Sequence, residues 1–521
     1  MVFPSRGCIT CKTRRIKCDS IHPICGRCQK ANRDCIWDQN EEAGLLFRSE
    51  NAFAQGKPRR PWKPREREEA IVTEISSEIA LGTPISLSPE RSEREDEASH
   101  FWLENYVFRD DELPEFAREY SHFLTTHRDQ SQPGSSLRLA MSAFSHVIYG
   151  RAMQVDKAIE DANSLFAQSV AKMRMELDEL SQDNIDELIL TTMLMASYEN
   201  VVYREGRHHL QEEDLSFSTH DVTGSQFWKN VYHHERAEGL ITIRQQRGWT
   251  PNLTLDKAVR RQLIRTCILR GKPVVRSLHD GTYFGEEGPV LGLDSIMVRV
   301  AALRVKSLLL FLPKSARFSD ELRPSEIVLE ARDLDTDLES WWRTIPEDWK
   351  FSVEHSPESD ATLEELVHVY PTHGHATIWN RYRAIHLIVN SIRRRALSVM
   401  AQCSSAAVMV NAEQEECLEK IGSISRDLCR GVSVFLTSPV DSTHDTGFSR
   451  MIKIGGKIVY TNDRILPKLA TLLAWPLTLA ISTDGVPEPQ NLWLKMQLKY
   501  IVSALGDAVL DTITEGGGFK F

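Results

Sequence analysis

The pattern of apolar and polar positions changes near Phe101. From that residue onward, apolar residues recur at helical spacing, with little of the alternation that is typical of strands. Glycine and proline lie mostly between these stretches, where they end helices. The pattern therefore predicts a mostly α protein in which residues 101–521 form a large all-α domain of several antiparallel helices. The clearest helical stretches are 185–203, 294–312, 376–397 and 413–436.

Residues 38–100 lack this periodicity. They include the basic, proline-rich stretch GKPRRPWKPRERE and the acidic stretch GTPISLSPERSEREDEAS. Such compositions bury too little apolar surface to fold, so we expect a flexible linker. The basic cluster within it either extends the nucleic-acid contact, or serves as a nuclear import signal, or is simply a solvated segment. That cluster consists of Arg59, Arg60, Lys63, Arg65 and Arg67.

A short isoleucine repeat in the linker raises the question of a coiled coil. Ile71 and Ile75 have heptad spacing, but the next two apolar positions of that register are Glu78 and Gly82. A stable coiled coil needs three or four continuous heptads. The sequence therefore gives no clear coiled coil, and both a monomer and a homodimer formed through the helical domain remain open.

Membrane insertion and secretion are not expected. The best candidate span, Leu469–Ser482, is too short and contains Pro476, and the N-terminus turns basic without an apolar signal core. A chain that stays inside the cell keeps its thiols reduced, which favours metal binding over disulfides. Four cysteines lie in helical patterns and are expected to be ordinary buried residues: Cys267, Cys403, Cys417 and Cys429.

The remaining six of the ten cysteines lie in residues 1–37, which we interpret as a separate small domain. Their spacing is C-x2-C-x6-C-x6-C-x2-C-x6-C, and the pattern C-x2-C-x6-C occurs twice. Zinc prefers four ligands, and six thiolates complete two tetrahedra only if two sulfurs are shared. The repeat therefore predicts one compact centre holding two Zn²⁺ ions. The ligands are Cys8, Cys11, Cys18, Cys25, Cys28 and Cys35.

The charge distribution indicates which part of the chain contacts a polyanion. Residues 1–65 contain 14 Lys and Arg against 6 Asp and Glu, a net charge of +8. Because the whole chain has a net charge of −10, the remainder carries −18. A basic head on an acidic body is the distribution expected when only the head binds nucleic acid.

The N-terminal stretch resembles the fungal binuclear zinc cluster (Zn2C6) family of transcription factors. The similarity includes the segments TCKTRRIKCD and HPIC as well as the cysteine spacing. It implies that Cys8 and Cys25 bridge the two metals, with Cys11 and Cys18 on one ion and Cys28 and Cys35 on the other. It also implies that the loop and helix between the second and third cysteines read a CGG-type triplet in the major groove. The implied DNA-contacting residues are Lys12, Arg14, Arg15 and Lys17.

The charges of the two spacers independently favour the segment between the second and third cysteines as the part that contacts DNA. The first spacer, KTRRIK, carries four positive charges, whereas its counterpart, QKANRD, carries two positive charges and one negative charge. Arginine and lysine donating to guanine are the commonest base-specific contacts in the major groove. Two other interpretations of the cysteines are disfavoured. A redox CxxC pair does not need a mirrored set of six cysteines, and protein-binding zinc modules of the RING or LIM type use eight ligands that include histidine.

The helical region is similar to the regulatory middle region of the same family. The similar segments are LILTTMLMASYE, WKNVYHHERAEGLITIRQQRG, LIRTCILRGKPV and LLAWPLTLA. The resemblance implies a role in effector response, self-inhibition or contact with the transcription machinery. We find no nucleophile elbow, phosphate loop or dinucleotide fingerprint, so we expect no enzymatic activity.

Two other groups in the helical region have candidate chemistry. Arg393–Arg395 are expected to form an exposed charged face. The histidines lack metal-site spacing and are expected on helix surfaces or at caps rather than as ligands. They are His208, His209, His233, His234, His368, His373 and His375.

The sequence thus predicts a nuclear regulator of RNA polymerase II genes that binds double-stranded DNA. Two alternatives remain. In one, a small-molecule effector binds among the helices and controls the DNA-binding head. In the other, the zinc centre is a scaffold that binds only protein.

Overall fold

A computed structural model describes residues 10–11, 18, 24–31, 33, 35, 89–202, 231–310, 323–355, 363, 366–401, 407–436, 450–454, 457–461 and 465–514. The chain divides into two compact units, Met1–Ser86 and Leu87–Phe521. In the first unit, the described residues include one short helix, α1 (Gly26–Lys30), and a cluster of buried cysteines.

The second unit is helical, as the periodicity predicts. Its helices are α2 (Pro89–Tyr106), α3 (Leu124–Gln130), α4 (Ser136–Met153), α5 (Asp156–Asp178), α6 (Ile185–Val202), α7 (Val231–Gln246), α8 (Leu253–Arg270), α9 (Gly288–Leu310), α10 (Pro324–Thr344), α11 (His373–Ala401), α12 (Ala407–Leu436), α13 (Pro467–Ile481), α14 (Glu488–Leu505) and α15 (Ala508–Thr514). Helix α2 begins at Pro89, so the last part of the segment interpreted as linker is helical.

Two short hairpins interrupt the helical pattern. Strands β1 (Ser352–His355) and β2 (Leu366–Val369) pair antiparallel, as do β3 (Arg450–Ile454) and β4 (Lys457–Thr461). Each strand has only four or five residues. Runs this short carry almost no alternation, which explains why the sequence pattern gives little sign of them.

Local sequence signals place several helix ends. Ser135 caps α4 by accepting a hydrogen bond from the Arg138 N–H, and Asn252 caps α8 in the same way through Leu255. Proline in the first turn begins α10, α13 and α14, where its missing N–H costs no helical hydrogen bond. Helix α8 ends at Gly271, whose φ of 60° lies in the left-handed region that glycine adopts without strain.

Helix α11 lies at the centre of the second unit. It packs against α9, α10, α12 and α13, and most of its residues are buried. Helix α4 packs against α5, and α13 packs against α14. The cysteines of this unit that the structure describes, Cys267, Cys417 and Cys429, are buried as predicted, whereas Cys403 lies outside the described residues.

The apolar stretch that contains Pro476 forms helix α13, with most of its residues in the core. Among the helices that the structure describes, none combines the length and the apolar character that crossing a membrane requires.

Candidate metal centre

The second CxxC turn is shaped by a helix cap. Cys25 is the N-cap of α1, and its Sγ accepts a hydrogen bond from the Cys28 N–H at 3.3 Å. In such a cap, the side chain of the residue before the helix lies against the backbone of the first turn. The turn thus directs both sulfurs into one buried cluster.

Cys25 joins the two halves of the cysteine repeat. Its Sγ lies 3.6 Å from Sγ of Cys11, which belongs to the first half. Its backbone N–H donates to Sγ of Cys35 in the second half at 3.3 Å. Cys18 and Cys35 pack around the three innermost cysteines, so all five described cysteines of the repeat meet in one place.

The sulfur positions fit a tetrahedral zinc site. Two sulfurs bound to one tetrahedral zinc at about 2.3 Å lie about 3.8 Å apart. The Sγ–Sγ distances are 3.6 Å from Cys11 to Cys25 and 3.9 Å from Cys11 to Cys28. These three sulfurs all lie within 4.8 Å of one another. Zinc coordination by thiolates would supply the folding free energy that so small an apolar core lacks.

The thiols have the chemical character that a metal site requires. The five described cysteines of the repeat are thiols rather than disulfides. Cys25 is 0% exposed. Burial raises the pKa of its thiol, but hydrogen bonds from the Cys28 backbone and from neighbouring thiols lower it below the usual value. A lowered pKa favours the thiolate, which is the form that binds zinc.

The short distance between Cys11 and Cys28 bears on how the ligands are shared. The family resemblance assigns these two residues to different ions, yet their sulfurs are as close as two ligands of one ion. Cys8, the other implied bridge, lies outside the described residues. The pairing of ligands with ions therefore stays a prediction.

The implied base-reading residues also lie outside the described residues. These are Lys12, Arg14, Arg15 and Lys17. The basic linker cluster and the isoleucine repeat lie outside the described residues as well. The structure does describe three basic residues of the second half, Arg27, Lys30 and Arg33, and all three are exposed. These three residues recur every third position, which is a sequence signal for a basic face. The charges of the two six-residue spacers alone favour the first half as the DNA-contacting half and do not reveal this face.

Among the residues that the structure describes, the histidines of the second unit do not form a metal-ligand cluster. His233 and His368 are buried, not on helix surfaces as predicted, and His233 pairs with Glu199 at 3.2 Å. His375 lies in the first turn of α11, where Thr372 Oγ1 accepts a hydrogen bond from its backbone N–H at 3.3 Å. His208 and His209 lie outside the described residues.

The prediction of an exposed arginine face at 393–395 is wrong for Arg393. This side chain is buried and pairs with Glu413 at 2.6 Å and with Glu416 at 3.2 Å. Both partners belong to α12, whose packing against α11 the local sequence does not reveal. Buried arginine is tolerated when carboxylates satisfy its charge and its N–H groups.

Comparison with known proteins identifies a family match at the N-terminus. Residues 6–43 match the model of the fungal Zn(2)-Cys(6) binuclear cluster domain. This range includes all six cysteines of the repeat and extends beyond the predicted boundary at residue 37. No solved structure is detectably similar to the chain.

Three curated relatives are fungal regulators by name. Sterol uptake control protein 2 of Candida albicans is 36% identical over 93 residues, which are 17% of this chain and 12% of the relative. Transcription activator AMTR1 of Alternaria alternata is 42% identical over 52 residues, 10% of this chain and 6% of the relative. Transcriptional regulatory protein moc3 of Schizosaccharomyces pombe is 59% identical over 39 residues, 8% of each chain. The chain thus matches only a small fraction of these relatives' lengths.

Proposed function

Because residues 6–43 match the model of the fungal Zn(2)-Cys(6) binuclear cluster domain, we propose that this protein is a nuclear, sequence-specific regulator of RNA polymerase II transcription. The observation that carries the proposal is the position of Cys25, whose sulfur and backbone contact cysteines of both halves of the repeat. Its sulfur lies within 4.8 Å of Cys11 Sγ in the first half and of Cys28 Sγ in the second, so the two halves contribute to one cluster. The names of two of the fungal relatives, a transcription activator and a transcriptional regulatory protein, agree with a role in transcription.

The proposed centre holds two Zn²⁺ ions. Cys8 and Cys25 would be ligands of both ions, Cys11 and Cys18 would be further ligands of one ion, and Cys28 and Cys35 would be further ligands of the other. The role of the zinc ions would be structural rather than catalytic. Each structural zinc contributes roughly 10 kcal/mol or more to the folding of such a domain.

The proposed DNA contacts divide between the two halves. Lys12, Arg14, Arg15 and Lys17 in the first spacer contact the edges of a CGG-type triplet and its flanking phosphates. The exposed Arg27, Lys30 and Arg33 contact phosphates only. Residues 1–35 contain eight Lys and Arg and two acidic residues, so six thiolates and two zinc ions leave a charge of +4. This charge favours a polyanionic partner.

The helical unit has the proposed role of a regulatory domain without enzymatic activity. It would communicate with the transcription machinery, either from a monomer or from a homodimer. Its excess negative charge keeps it off the DNA that the N-terminal unit binds.

The proposal is tested by measuring the affinity of the full chain for duplexes that contain CGG and for the same duplexes with the triplet scrambled. Fluorescence anisotropy at several salt concentrations gives both the specificity ratio and the salt dependence. We expect tighter binding to the CGG duplex at every salt concentration. Equal affinity for both duplexes would instead favour the protein-binding zinc scaffold.

A further inference from the structure

The second unit contains a cavity of about 190 Å³ where several of its helices meet. Its walls come from α6, α7, α8, α11, α13 and α15, together with the segment before α3. For comparison, an apolar protein cavity of about 150 Å³ accommodates benzene. The space is therefore large enough for one ring-sized molecule with a small polar substituent.

Two arginines and one glutamate give the cavity an excess positive charge. Arg265 Nη1 lies 2.8 Å from Glu119 Oε1, and Arg381 Nη2 lies 3.4 Å from the same oxygen. One carboxylate thus faces two guanidinium groups. The other charged lining residues, Arg270 and Asp507, carry one positive and one negative charge that cancel. The cavity lining therefore keeps its excess of positive charge.

Arg381 makes few hydrogen bonds to the described part of the protein, and its unpaired N–H groups retain access to the cavity rather than being sealed in the core. It is only 5% exposed and offers five N–H donors. Among the described residues, the only acceptor its side chain reaches is Glu119, at 3.4 Å. Burial and the charge of Arg265 lower the pKa of Arg381 to about 9. A buried cation in this condition is stabilised by an anion that enters the cavity and accepts its remaining N–H groups.

The rest of the wall is suited to an apolar body. Leu269, Trp475, Leu510 and Ile513 line the cavity. Pro476 has no N–H, so it leaves the Leu472 carbonyl without its usual helical donor, and both residues also line the cavity. The lining therefore combines apolar side chains with a few convergent polar groups, as small-molecule sites do.

We infer that this cavity binds a small organic anion, with a carboxylate on Arg381 and a ring-sized apolar body among the leucine, isoleucine and tryptophan side chains. The bound anion connects α8, α11, α13 and α15 and so stabilises the helical unit. This inference does not depend on DNA binding, because every residue it uses belongs to the second unit.

The test uses the full chain and two probes of the same shape, benzoate and benzamide. Ligand-observed NMR titration measures the dissociation constant of each. We expect saturable binding of benzoate and at least tenfold weaker binding of benzamide, which has no charge to pair with Arg381. Equal affinities for the two probes, or no saturable benzoate binding, would overturn the inference.

Two substitutions locate the site. Arg381→Met keeps an unbranched apolar stem but removes the guanidinium charge, and we expect it to weaken benzoate binding at least tenfold. Ala474→Leu keeps both arginines but fills part of the cavity, and we expect a similar loss. The control is Arg299→Met, because Arg299 is an exposed arginine that pairs with Asp337 away from the cavity.

Thermal unfolding of each variant separates loss of the site from loss of the fold. A folded Arg381→Met protein that binds benzoate like the unsubstituted chain would contradict the assignment. If that variant does not fold, the benzoate and benzamide affinities of the unsubstituted chain and of Ala474→Leu decide the question.

Discussion

His368 Nδ1 lies 2.9 Å from Arg383 Nη2 and accepts its hydrogen bond, so the buried imidazole is neutral in the folded protein. The ring also stacks on Phe351, with 4.1 Å between the ring centroids. Burial and the charge of Arg383 lower the pKa of His368 to about 2. A histidine that is neutral in the folded state and free to protonate in the unfolded state makes stability depend on pH.

We therefore expect the free energy of unfolding to fall as the pH drops below about 6.5, the usual pKa of histidine. At pH 5 the loss from this one group is about 2 kcal/mol. Urea unfolding of the full chain at several pH values measures it. His368→Gln keeps an acceptor for Arg383 but cannot titrate, so its stability should vary less over this range. An identical pH profile for both proteins would contradict the prediction.

Removal of Asp335 should destabilise the helical unit. Its carboxylate accepts hydrogen bonds from His386 at 2.6 Å and from Asn390 at 2.8 Å, and it also pairs with Lys420. Burial alone raises its pKa, but these partners outweigh burial and hold the pKa well below its usual range. Asp335→Asn removes the charged acceptor of His386, whereas Lys420 keeps Glu339 and Glu416 as partners, and we expect a loss of about 2 kcal/mol.

The same network predicts an acid-sensitive contribution. Because the folded-state pKa of Asp335 is depressed, its stabilisation is complete above about pH 4 and is lost as the pH falls further. Chemical unfolding between pH 3 and pH 7 is compared for two proteins, His368→Gln alone and His368→Gln combined with Asp335→Asn. Because neither protein has His368, the comparison isolates the effect of Asp335. The difference between them should shrink at the acidic end, and a constant difference would exclude it.

The shared-ligand arrangement makes Cys25 the most sensitive cysteine. We expect Cys25→Ala to lose both zinc ions, because its sulfur is proposed to bind each of them. Metal analysis of the purified full chain measures the stoichiometry, with two zinc ions expected in the unsubstituted protein. Cys267→Ala is the control, because that buried cysteine lies in α8 of the helical unit.

Substitution with ¹¹³Cd tests the bridge directly. Two cadmium ions that share thiolates should give two resonances, and both should disappear together in Cys25→Ala. Retention of one ion at full affinity in that variant would refute a bridging role for Cys25. It would indicate instead that Cys11, Cys25 and Cys28 bind one ion that shares no ligand with the retained ion. The sulfurs of these three cysteines lie within 4.8 Å of one another.

Arg15 and Arg33 should differ in what they contribute to DNA binding. Arg15→Ala should cost about 1–3 kcal/mol of discrimination between CGG and scrambled duplexes, with zinc content unchanged. Arg33→Ala should weaken binding to both duplexes equally and reduce the salt dependence by about one phosphate contact. Anisotropy titrations of both variants supply the comparison. A loss of discrimination in Arg33→Ala alone would reverse the assigned roles of the two halves.

The sequence predicts those features that depend on local pattern. The four helical stretches correspond to α6, α9, α11 and α12, because their apolar spacing is long and regular. The mirrored cysteine spacing likewise predicts a single cluster, and the five described cysteines of the repeat meet there.

The sequence does not predict features that depend on distant partners. Arg393 looks exposed until α12 brings Glu413 and Glu416 to it, and His368 is buried by Phe351 and Arg383. The cavity has no local signature, because its lining residues are spread from Glu119 to Ile513.

Arg381 and Arg383 occupy one turn of α11, two positions apart. One faces the cavity and the other bonds the neutral ring of His368. Any movement of this turn that accompanies occupation of the cavity therefore also reaches the imidazole. Because the imidazole takes up a proton only when the turn unfolds, a bound anion and acid would have opposite effects on the stability of the helical unit.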